Sequence, residues 1–478
     1  MKRSLIYMLM TLSVLTIVTV LILIILGYSF NRQDGRLEQG GLLQFASIPS
    51  GATITLGGSR LSSRTPSKAN VDAASHQVEF TLKGYRSWQK TITVQPGGIG
   101  WLSYARLIPT EIKSTPVHTL PQLAASMTSN DRKWMVLQSD VATPAFTIVN
   151  IESDTPKITE SVLPEALISP VMTDESQSYA VTAWSRDSTR LLVKRTYDTD
   201  KIEWFILNRQ HPNESINLTT AVAVSAINVQ FAQNDGGKVY ALTGDAIVRR
   251  IDVGSGTLSA PLAENVSEYT VYDESTLLYV THPDSKQPSE RRVGYRTRDM
   301  PEAQTLFNYT STTENIHVAF GEYYGKKYVA ITYGTTLQVY TGTIPTLSNR
   351  GSLALVTSVE LPTPPQSVLI SKNGRFVVAD MANHYTTYDI ELAKSDTTEL
   401  TRSASSQRPL VWLDDYLAAS NREGMLRLFE FDGANQQDIL AVVEGQAAAI
   451  SRNDKYLYTV TAVDGGVTLT RVQMTVSQ

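Results

Sequence analysis

The stretches Ile370–Asp380 (ISKNGRFVVAD) and Ile450–Val460 (ISRNDKYLYTV) carry the pattern that decides the fold. In each, an apolar residue precedes a polar turn, and a run of strand-forming residues follows the turn. Ser, Asn, Asp and Gly supply positive φ angles and side-chain-to-backbone hydrogen bonds at tight turns. Each stretch therefore predicts two antiparallel strands joined by a short turn.

Related cassettes recur at intervals of roughly 38–57 residues, close to the period of propeller blades. They begin at Met127, Trp184, Phe231, Tyr272, Val318, Ile370, Trp412 and Ile450. One four-stranded blade cannot bury both of its faces, so blades stack around an axis. The chain is therefore predicted to be all-β, with an eight-bladed β-propeller over residues 111–478. Seven blades are the alternative, because the copy at Tyr272 is the weakest.

The last cassette raises the question of how the ring closes. It supplies a third strand at Val467–Val476 (VTLTRVQMTV), and its fourth strand must come from elsewhere in the chain. The extended segment Ser114–Leu120 (STPVHTL) lies immediately before the first cassette. We expect this segment to pair with the last blade, since pairing protects edge strands that would otherwise stay open.

A long apolar run opens the chain. Leu5–Leu26 contains no charge, glycine or proline, and as a helix it reaches roughly 33 Å, enough to cross a bilayer core of about 30 Å. An export signal has a shorter apolar stretch and a small-x-small cleavage site, which this sequence lacks. Residues 1–30 are therefore predicted to form a cytoplasmic tip and an uncleaved signal-anchor helix, with the lipid bilayer as its partner through residues 5–26.

The orientation of this helix depends on weaker signals. Lys2 and Arg3 on one flank are balanced by Arg32 and Arg36 on the other. The chain contains no cysteine, which is common outside a reducing cytosol. We therefore expect a single-pass protein of the cell membrane with most of the chain extracytoplasmic. A net charge of −4 gives no indication of nucleic-acid binding.

Residues 31–41 (NRQDGRLEQGG) are polar and end in paired glycines, so they are predicted to be a flexible linker. Alternating strands follow at Ala52–Leu56, Gln77–Leu82 and Lys90–Val94, and Gly57-Gly58 is a typical hairpin turn. These strands predict a small antiparallel sandwich over residues 42–110.

The same region resembles the PEGA domain of bacterial surface proteins. Ser47–Ala52 (SIPSGA) stands where that family has its naming motif, with Ser50 in place of Glu. Thr65-Pro66, His76 and Gly84-Tyr85 match further family positions, whereas Ala74 replaces a usual glycine. The resemblance implies an extracytoplasmic β-sandwich used for binding or spacing, without catalytic residues. The turn residues of the cassettes similarly resemble the S-P-D-G-K/R turns of bacterial WD-repeat and TolB-like propellers.

Catalytic motifs are missing from the sequence. It contains no H-E-x-x-H, P-loop, G-x-S-x-G or G-x-G-x-x-G pattern. Its six histidines are scattered without the spacing of metal ligands. We therefore predict no catalytic residue, cofactor or metal site, and expect that the chain is not an enzyme.

Two groups of residues are candidates for binding. Arg291, Arg292, Arg296 and Arg298 share one segment, and together they suit an anionic polymer or a lipid headgroup. The alternative is a solvated outer strand blunted by charge. Tyr323 and Tyr324 belong to a tyrosine-rich copy whose rings suit sugars, with ordinary strand packing as the alternative.

These features favour a membrane-anchored, extracytoplasmic binding or scaffold protein of the bacterial cell envelope. Its partner would be an unknown envelope protein or an anionic or glycan polymer that docks on the propeller. One alternative is an envelope glycan hydrolase or lyase, which would need carboxylates about 5–10 Å apart at a channel mouth. Another is a factor for envelope assembly or protein quality control.

Overall fold

The computed structural model describes residues 2–25, 28–31, 36–171, 176–232, 236–272, 276–283, 290–310, 315–346, 349, 351–381, 383–400, 411–421 and 424–476. The chain divides into two compact units. The first contains Met1–Lys113 together with Gln473–Gln478, and the second contains Ser114–Val472.

The first unit begins with helix α1 (Lys2–Ile25), whose apolar side chains are exposed along its described length. Its polar side chains do not oppose insertion into lipid, because their hydroxyls return to the helix backbone. Thr11 and Thr16 donate to carbonyl oxygens four residues earlier at 2.9 Å. Among the described residues, one helix is long and apolar enough to cross a membrane. This length and composition suit a single-pass anchor and an export signal alike.

Nine strands complete the described part of the first unit. They are β1 (Tyr28–Asn31), β2 (Arg36–Gln39), β3 (Gly41–Ile48), β4 (Thr53–Leu56), β5 (Ser59–Arg64), β6 (Ser67–Val71), β7 (Ser75–Thr81), β8 (Trp88–Thr93) and β9 (Ile99–Arg106). Strands β1 and β2 pair with each other, so part of the predicted linker at residues 31–41 is paired strand. The other seven strands form two sheets, in the orders β6-β3-β9 and β5-β4-β7-β8.

The sandwich differs from the expected antiparallel arrangement in one pairing. Strand β3 pairs antiparallel with β6 but parallel with β9. The reason is that β8 belongs to the opposite sheet, so the connection from β8 to β9 crosses the sandwich and returns the chain in the direction of β3. The predicted hairpin turn lies between β4 and β5, where Gly57 and Gly58 both have positive φ angles of 54° and 81°.

The second unit opens with strand β10 (Ser114–Leu120) and continues through seven sheets of four sequential strands. Sheet 1 contains β11 (Ala125–Thr128), β12 (Trp134–Gln138), β13 (Ala145–Asn150) and β14 (Ile158–Val162). Sheet 2 contains β15 (Ser178–Trp184), β16 (Arg190–Tyr197), β17 (Lys201–Asn208) and β18 (Ile216–Asn217), followed by the short helix α2 (Leu218–Val222). Sheet 3 contains β19 (Ala226–Phe231), β20 (Lys238–Thr243), β21 (Val248–Asp252) and β22 (Thr257–Leu258). Sheet 4 contains β23 (Val266–Val271), β24 (Leu277–Thr281), β25 (Glu290–Arg296) and β26 (Gln304–Thr310).

Three further sheets follow, and then the closing sheet. Sheet 5 contains β27 (Ile316–Tyr323), β28 (Lys326–Tyr333), β29 (Thr336–Thr343) and β30 (Ser352–Glu360). Sheet 6 contains β31 (Ser367–Ile370), β32 (Phe376–Asp380), β33 (His384–Asp389) and β34 (Lys394–Glu399). Sheet 7 contains β35 (Val411–Trp412), β36 (Leu417–Ser420), β37 (Met425–Glu430) and β38 (Gln437–Ala441). Sheet 8 contains β39 (Ala449–Ile450), β40 (Tyr456–Val463), β41 (Gly466–Gln473) and the early strand β10. The described residues of this unit thus form eight four-stranded antiparallel sheets, as in a β-propeller.

The repeated polar residues of the cassettes form hydrogen bonds in the turn between the first two strands of a sheet. The hydroxyl of Ser371 donates to Asn373 Oδ1 at 2.7 Å and accepts the backbone N–H of Phe376 at 2.9 Å. Ser451 makes the equivalent bonds in sheet 8, at 2.7 and 3.1 Å. Gly374 has a φ of 78°, and a Cβ atom there would lie 1.8 Å from the carbonyl oxygen of Glu322 in sheet 5.

The burial of the strands follows their order within each sheet. All five residues of β32, a second strand, are buried, whereas β30, a fourth strand, is largely exposed. First strands of neighbouring sheets contact one another, as β27 and β31 do. The first strand of each sheet is therefore the inner one, and the apolar cores lie between adjacent sheets.

The predicted ring closure is confirmed. Strand β10 pairs antiparallel with β41, with Ser114 opposite Val472 and Leu120 opposite Val467. The side chains of Thr119 and Thr468 hydrogen-bond across this pair at 3.1 Å. The last sheet thus takes its outer strand from the segment that precedes the first sheet.

Candidate functional site

The inner strands of sheets 7, 8 and 1, with the first turn of sheet 6, enclose a cavity of about 870 Å³. Ligand pockets of proteins typically measure about 300–1,000 Å³. We call this space the central cavity. It has a charged end near the cassette turns and an amide-rich end near the start of β39.

The charged end is built from turns of four different sheets. Lys372 of sheet 6 donates through Nζ to the carbonyl oxygen of Asn130 in sheet 1 at 2.8 Å. Arg132 of sheet 1 lies 3.5 Å from the carbonyl oxygen of Leu413 and 3.7 Å from the carboxylate of Asp454 in sheet 8. These contacts hold two cationic side chains across the mouth of the cavity.

Two adjacent carboxylates in the first turn of sheet 7 have different environments. Asp414 caps its own turn, since its Oδ1 accepts the backbone N–H groups of Tyr416 and Leu417 at 2.9 and 2.8 Å. Burial, followed by the neighbouring Asp414 carboxylate, raises the pKa of Asp415, and the cations of Lys372 and Arg132 oppose this rise. Asp415 therefore differs from Asp414 in its surroundings, although both residues line the cavity.

Among the described residues that line the cavity, one is aromatic, Trp412. The ring of Trp412 stacks on that of Phe376, with centroids 6.1 Å apart and planes at 21°. Trp412 Nε1 and Thr128 Oγ1 are buried and have no hydrogen-bond partner within the part of the chain that the structure describes. A buried polar atom without a partner costs roughly 1–3 kcal/mol, so a ligand that reached either atom would gain by hydrogen bonding to it.

The amide-rich end is cross-linked by Gln446. Its Oε1 accepts the hydroxyl of Ser126 at 2.9 Å, and the same hydroxyl accepts the backbone N–H of Ala447 at 2.7 Å. Asn421 of sheet 7 donates through Nδ2 to the Gln446 carbonyl oxygen. This network ties sheets 7, 8 and 1 together, so the cavity is held in shape before any ligand arrives.

Three carboxylates lie in or beside the lining of the cavity. Glycoside hydrolysis needs two carboxyl groups about 5–10 Å apart, one as acid and one as base or nucleophile. Asp414 is committed to its turn and Asp454 pairs with Arg132. Asp415 is then left with hydrogen-bond donors and an indole ring as its neighbours in the cavity.

The four predicted arginines lie along strand β25 and in the turn after it. Arg291 and Arg292 begin strand β25, whereas Arg296 ends it and Arg298 lies in the following turn. At about 3.3 Å per residue, Arg291 and Arg296 are roughly 16 Å apart along the strand. Strand β25 is the third strand of sheet 4, so neither pair lies at the central cavity.

Two of these arginines are engaged with their own sheet. Arg291 donates to the carbonyl oxygen of Thr281 at 3.0 Å and to Ser267 Oγ at 3.1 Å. Arg296 donates to the carbonyl oxygens of Pro261, Leu262, Met300 and Pro301 at 2.8–3.3 Å. Arg292 and Arg298 are exposed.

The two predicted tyrosines lie together at the first turn of sheet 5. The ring centroids of Tyr323 and Tyr324 are 4.5 Å apart. The Tyr323 hydroxyl donates to Glu391 at 2.9 Å, and burial together with this hydrogen bond raises the pKa of Tyr323. Tyr324 is 84% exposed. Tyr323 thus packs against sheet 6, and Tyr324 presents its ring to solvent.

In the first unit, the motif residues of the sandwich meet in space. The hydroxyls of Ser47 and Thr65 lie 2.7 Å apart, and Thr65 Oγ1 accepts the backbone N–H of Ala52 at 2.9 Å. The SIPSGA and T-P motifs therefore form one hydrogen-bonded corner. The family model of the PEGA domain matches residues 41–106. The chain carries a PEGA domain.

The PEGA model covers residues 41–106, and solved structures are similar to this chain over a larger share of its length. The chain is similar to the β-propeller domain of Cps50 (Swd1) from Myceliophteria thermophila, with 9% identity over 76% of this chain and 100% of that chain, at a TM-score of 0.40. It is also similar to a eukaryotic initiation factor, with 12% identity over 68% of this chain and 90% of that chain, at a TM-score of 0.39. The computationally designed Ika8 protein shows 13% identity over 75% of this chain and 98% of that chain, at a TM-score of 0.42. At sequence identities this low, the similarity concerns the fold alone. No curated protein matches the chain.

Sequence reasoning did not single out the lining of the central cavity. Trp412, Asp415 and Lys372 all lie within cassettes that were recognised as repeats. A usable signal was the L-D-D turn after Trp412, because its two carboxylates replace the Ser-x-Asn pattern of the neighbouring sheets. Which turns converge at the centre depends on the ring geometry, which a repeat alone does not give.

Proposed function

We propose that this chain is a membrane-anchored, extracytoplasmic binding protein of the bacterial cell envelope, whose propeller holds an extended segment of a partner protein in the central cavity. The observation that carries the proposal is the cavity itself, which is preformed by the inner strands of three consecutive sheets. The PEGA domain then serves as a spacer between the membrane helix and the propeller. Envelope assembly or quality control is one setting for such binding.

A polypeptide matches the lining of the cavity. Backbone carbonyl groups of a bound segment accept hydrogen bonds from Trp412 Nε1 and Thr128 Oγ1, which are buried donors. A basic side chain of the segment pairs with Asp415, and an acidic one pairs with Lys372 or Arg132. A glycan polymer is the alternative occupant, since its hydroxyls bind carboxylates and its rings stack on indole.

Site-specific photocross-linking in intact cells tests the cavity. We expect a photoreactive residue in place of Asp415 to trap one partner polypeptide, while the same residue in place of Glu360, on the outer strand β30, does not. Trp412→Ala removes both ring and donor and should reduce this adduct at least fivefold. Trp412→Phe keeps an aromatic ring beside Phe376 and removes the N–H together with part of the indole, so the expected loss is smaller, about two- to tenfold in affinity.

The results distinguish the alternatives. Equal adducts from the Asp415 and Glu360 positions, or an adduct insensitive to Trp412→Ala, would remove the central cavity from the proposal. An adduct that contains carbohydrate and no peptide would replace the protein partner with a wall polymer.

The membrane location has its own test. Deletion of residues 2–25 should move the chain from the membrane fraction to a soluble fraction, because helix α1 supplies the described apolar span. In the intact chain we expect the helix to remain, and its presence in the mature protein is measured by mass spectrometry. A mature chain that lacks the helix and is soluble would identify an export signal instead.

A further inference from the structure

We infer that a second pocket, between sheets 3 and 4, binds a phosphate group through a cluster of arginines. This pocket has a volume of about 210 Å³ and lies outside the central cavity. Three arginines line it: Arg250 of strand β21, Arg296 of strand β25, and Arg298 of the turn that follows. We call it the arginine pocket.

The residues that line the arginine pocket do not balance the positive charge of its arginines. No carboxylate is among its lining residues within the described part of the chain. The acidic residues of the same turn, Asp299 and Glu302, are exposed and do not line it. Other arginines of the propeller face a carboxylate directly, as Arg375 does with Asp389 at 2.6 Å. Three arginines around one small space, without a carboxylate in its described lining, therefore give the pocket a positive charge.

The pocket is also preorganised. Arg296 is fixed by hydrogen bonds to four backbone carbonyl oxygens, two of them on the segment Pro261-Leu262 that leads out of sheet 3. Arg250 lies opposite Tyr240 in the β20–β21 pair, and Leu277 lies opposite Arg296 in the β24–β25 pair. The walls are thus strands of two packed sheets, which hold the arginines without a ligand.

A buried hydroxyl points to the same ligand. Thr297 lines the pocket, and its Oγ1 is buried with no hydrogen-bond partner among the described residues. An oxyanion accepts a hydrogen bond from a hydroxyl and from each guanidinium. A phosphate ester has several acceptor oxygens and a charge of up to −2 near neutral pH, and so balances three arginines better than a single carboxylate does.

Titration calorimetry on the full chain in a neutral, phosphate-free detergent tests this inference. Inorganic phosphate and glycerol 3-phosphate are the probes, and sodium chloride keeps the ionic strength constant. We expect saturable binding of both, and an affinity at least tenfold lower in the variant Arg250→Ala/Arg298→Ala, since charge-assisted hydrogen bonds are the stronger ones. Arg292→Ala, at the opposite end of strand β25, is the matched control and should keep the affinity of the unmodified chain.

A second variant keeps the test decisive if the double variant unfolds. Arg298 is exposed, so Arg298→Ala should leave the thermal unfolding temperature unchanged while it lowers phosphate affinity severalfold. Absence of saturable binding to the unmodified chain, or equal loss in Arg292→Ala, would overturn the inference. Vesicles of phosphatidylglycerol form the last arm. Binding to these vesicles without binding to either soluble phosphate would assign the effect to a membrane surface and would also overturn it.

Discussion

Oxidation of the variant Thr119→Cys/Thr468→Cys is expected to lock the propeller with a covalent ring and to stabilise it by up to about 5 kcal/mol. These residues are direct partners in the β10–β41 pair, and their hydroxyls lie 3.1 Å apart. They are 349 positions apart in sequence, so the bond would close a very long loop. In the chain-entropy description, a longer loop removes more freedom from the unfolded chain.

The chain offers a clean background for this experiment because it has no native cysteine. The reduced form of the same variant is the reference, and the free energy of unfolding is measured by denaturant titration with and without reductant. Thr115→Cys/Thr468→Cys is the mismatched control. Thr115 pairs with Arg471 and lies four positions from the correct partner, roughly 13 Å along the strand. Cross-linking of the mismatched pair as readily as the matched one would contradict the closure.

The ring closure could be predicted from the sequence for a physical reason. Strand β10 was predictable because a blade with three strands leaves an open edge, and one extended segment was left over to cover it. The cassette turns were predictable for a similar reason. The roles of Ser371 and Asn373 are local, since both side chains bond to the turn in which they lie. Local hydrogen bonding and strand alternation therefore gave most of the fold.

The features that could not be predicted from the sequence depend on contacts between distant segments. The parallel pairing of β3 with β9 follows from a crossover between two sheets, which alternation does not reveal. The arginines at the two ends of β25 look like one cluster in sequence, but strand geometry separates Arg291 from Arg296. The arginine pocket adds Arg250, which belongs to another sheet. Each case needs the tertiary fold, because residue type alone does not fix which side chains meet.

A buried ion pair lies in sheet 2, between facing residues of consecutive strands. The side chains of Arg195 and Glu203 are 1% and 2% exposed, and Arg195 Nη1 lies 2.6 Å from Glu203 Oε2. Arg195 Nε donates to Gln177 Oε1 at 2.9 Å, and Asn217 Nδ2 donates to Glu203 Oε1 at 3.0 Å. Asn217 also caps helix α2, since its Oδ1 accepts the backbone N–H of Thr220 at 3.1 Å. The pair thus joins two strands and a helix start in one network.

Arg195→Met should therefore destabilise the propeller by about 3–5 kcal/mol, because it leaves the Glu203 carboxylate buried without its cation. Arg195→Met/Glu203→Leu removes both charges and should be less destabilised than the sum of its single variants by at least about 2 kcal/mol. The matched control is Arg427→Met. Arg427 makes the same kind of contact with Asp438 at 2.6 Å, but these side chains are 32% and 51% exposed, so the expected cost is below about 1 kcal/mol. Chemical denaturation of the four variants measures these differences. Equal costs for Arg195→Met and Arg427→Met would show that burial does not set the strength of the pair.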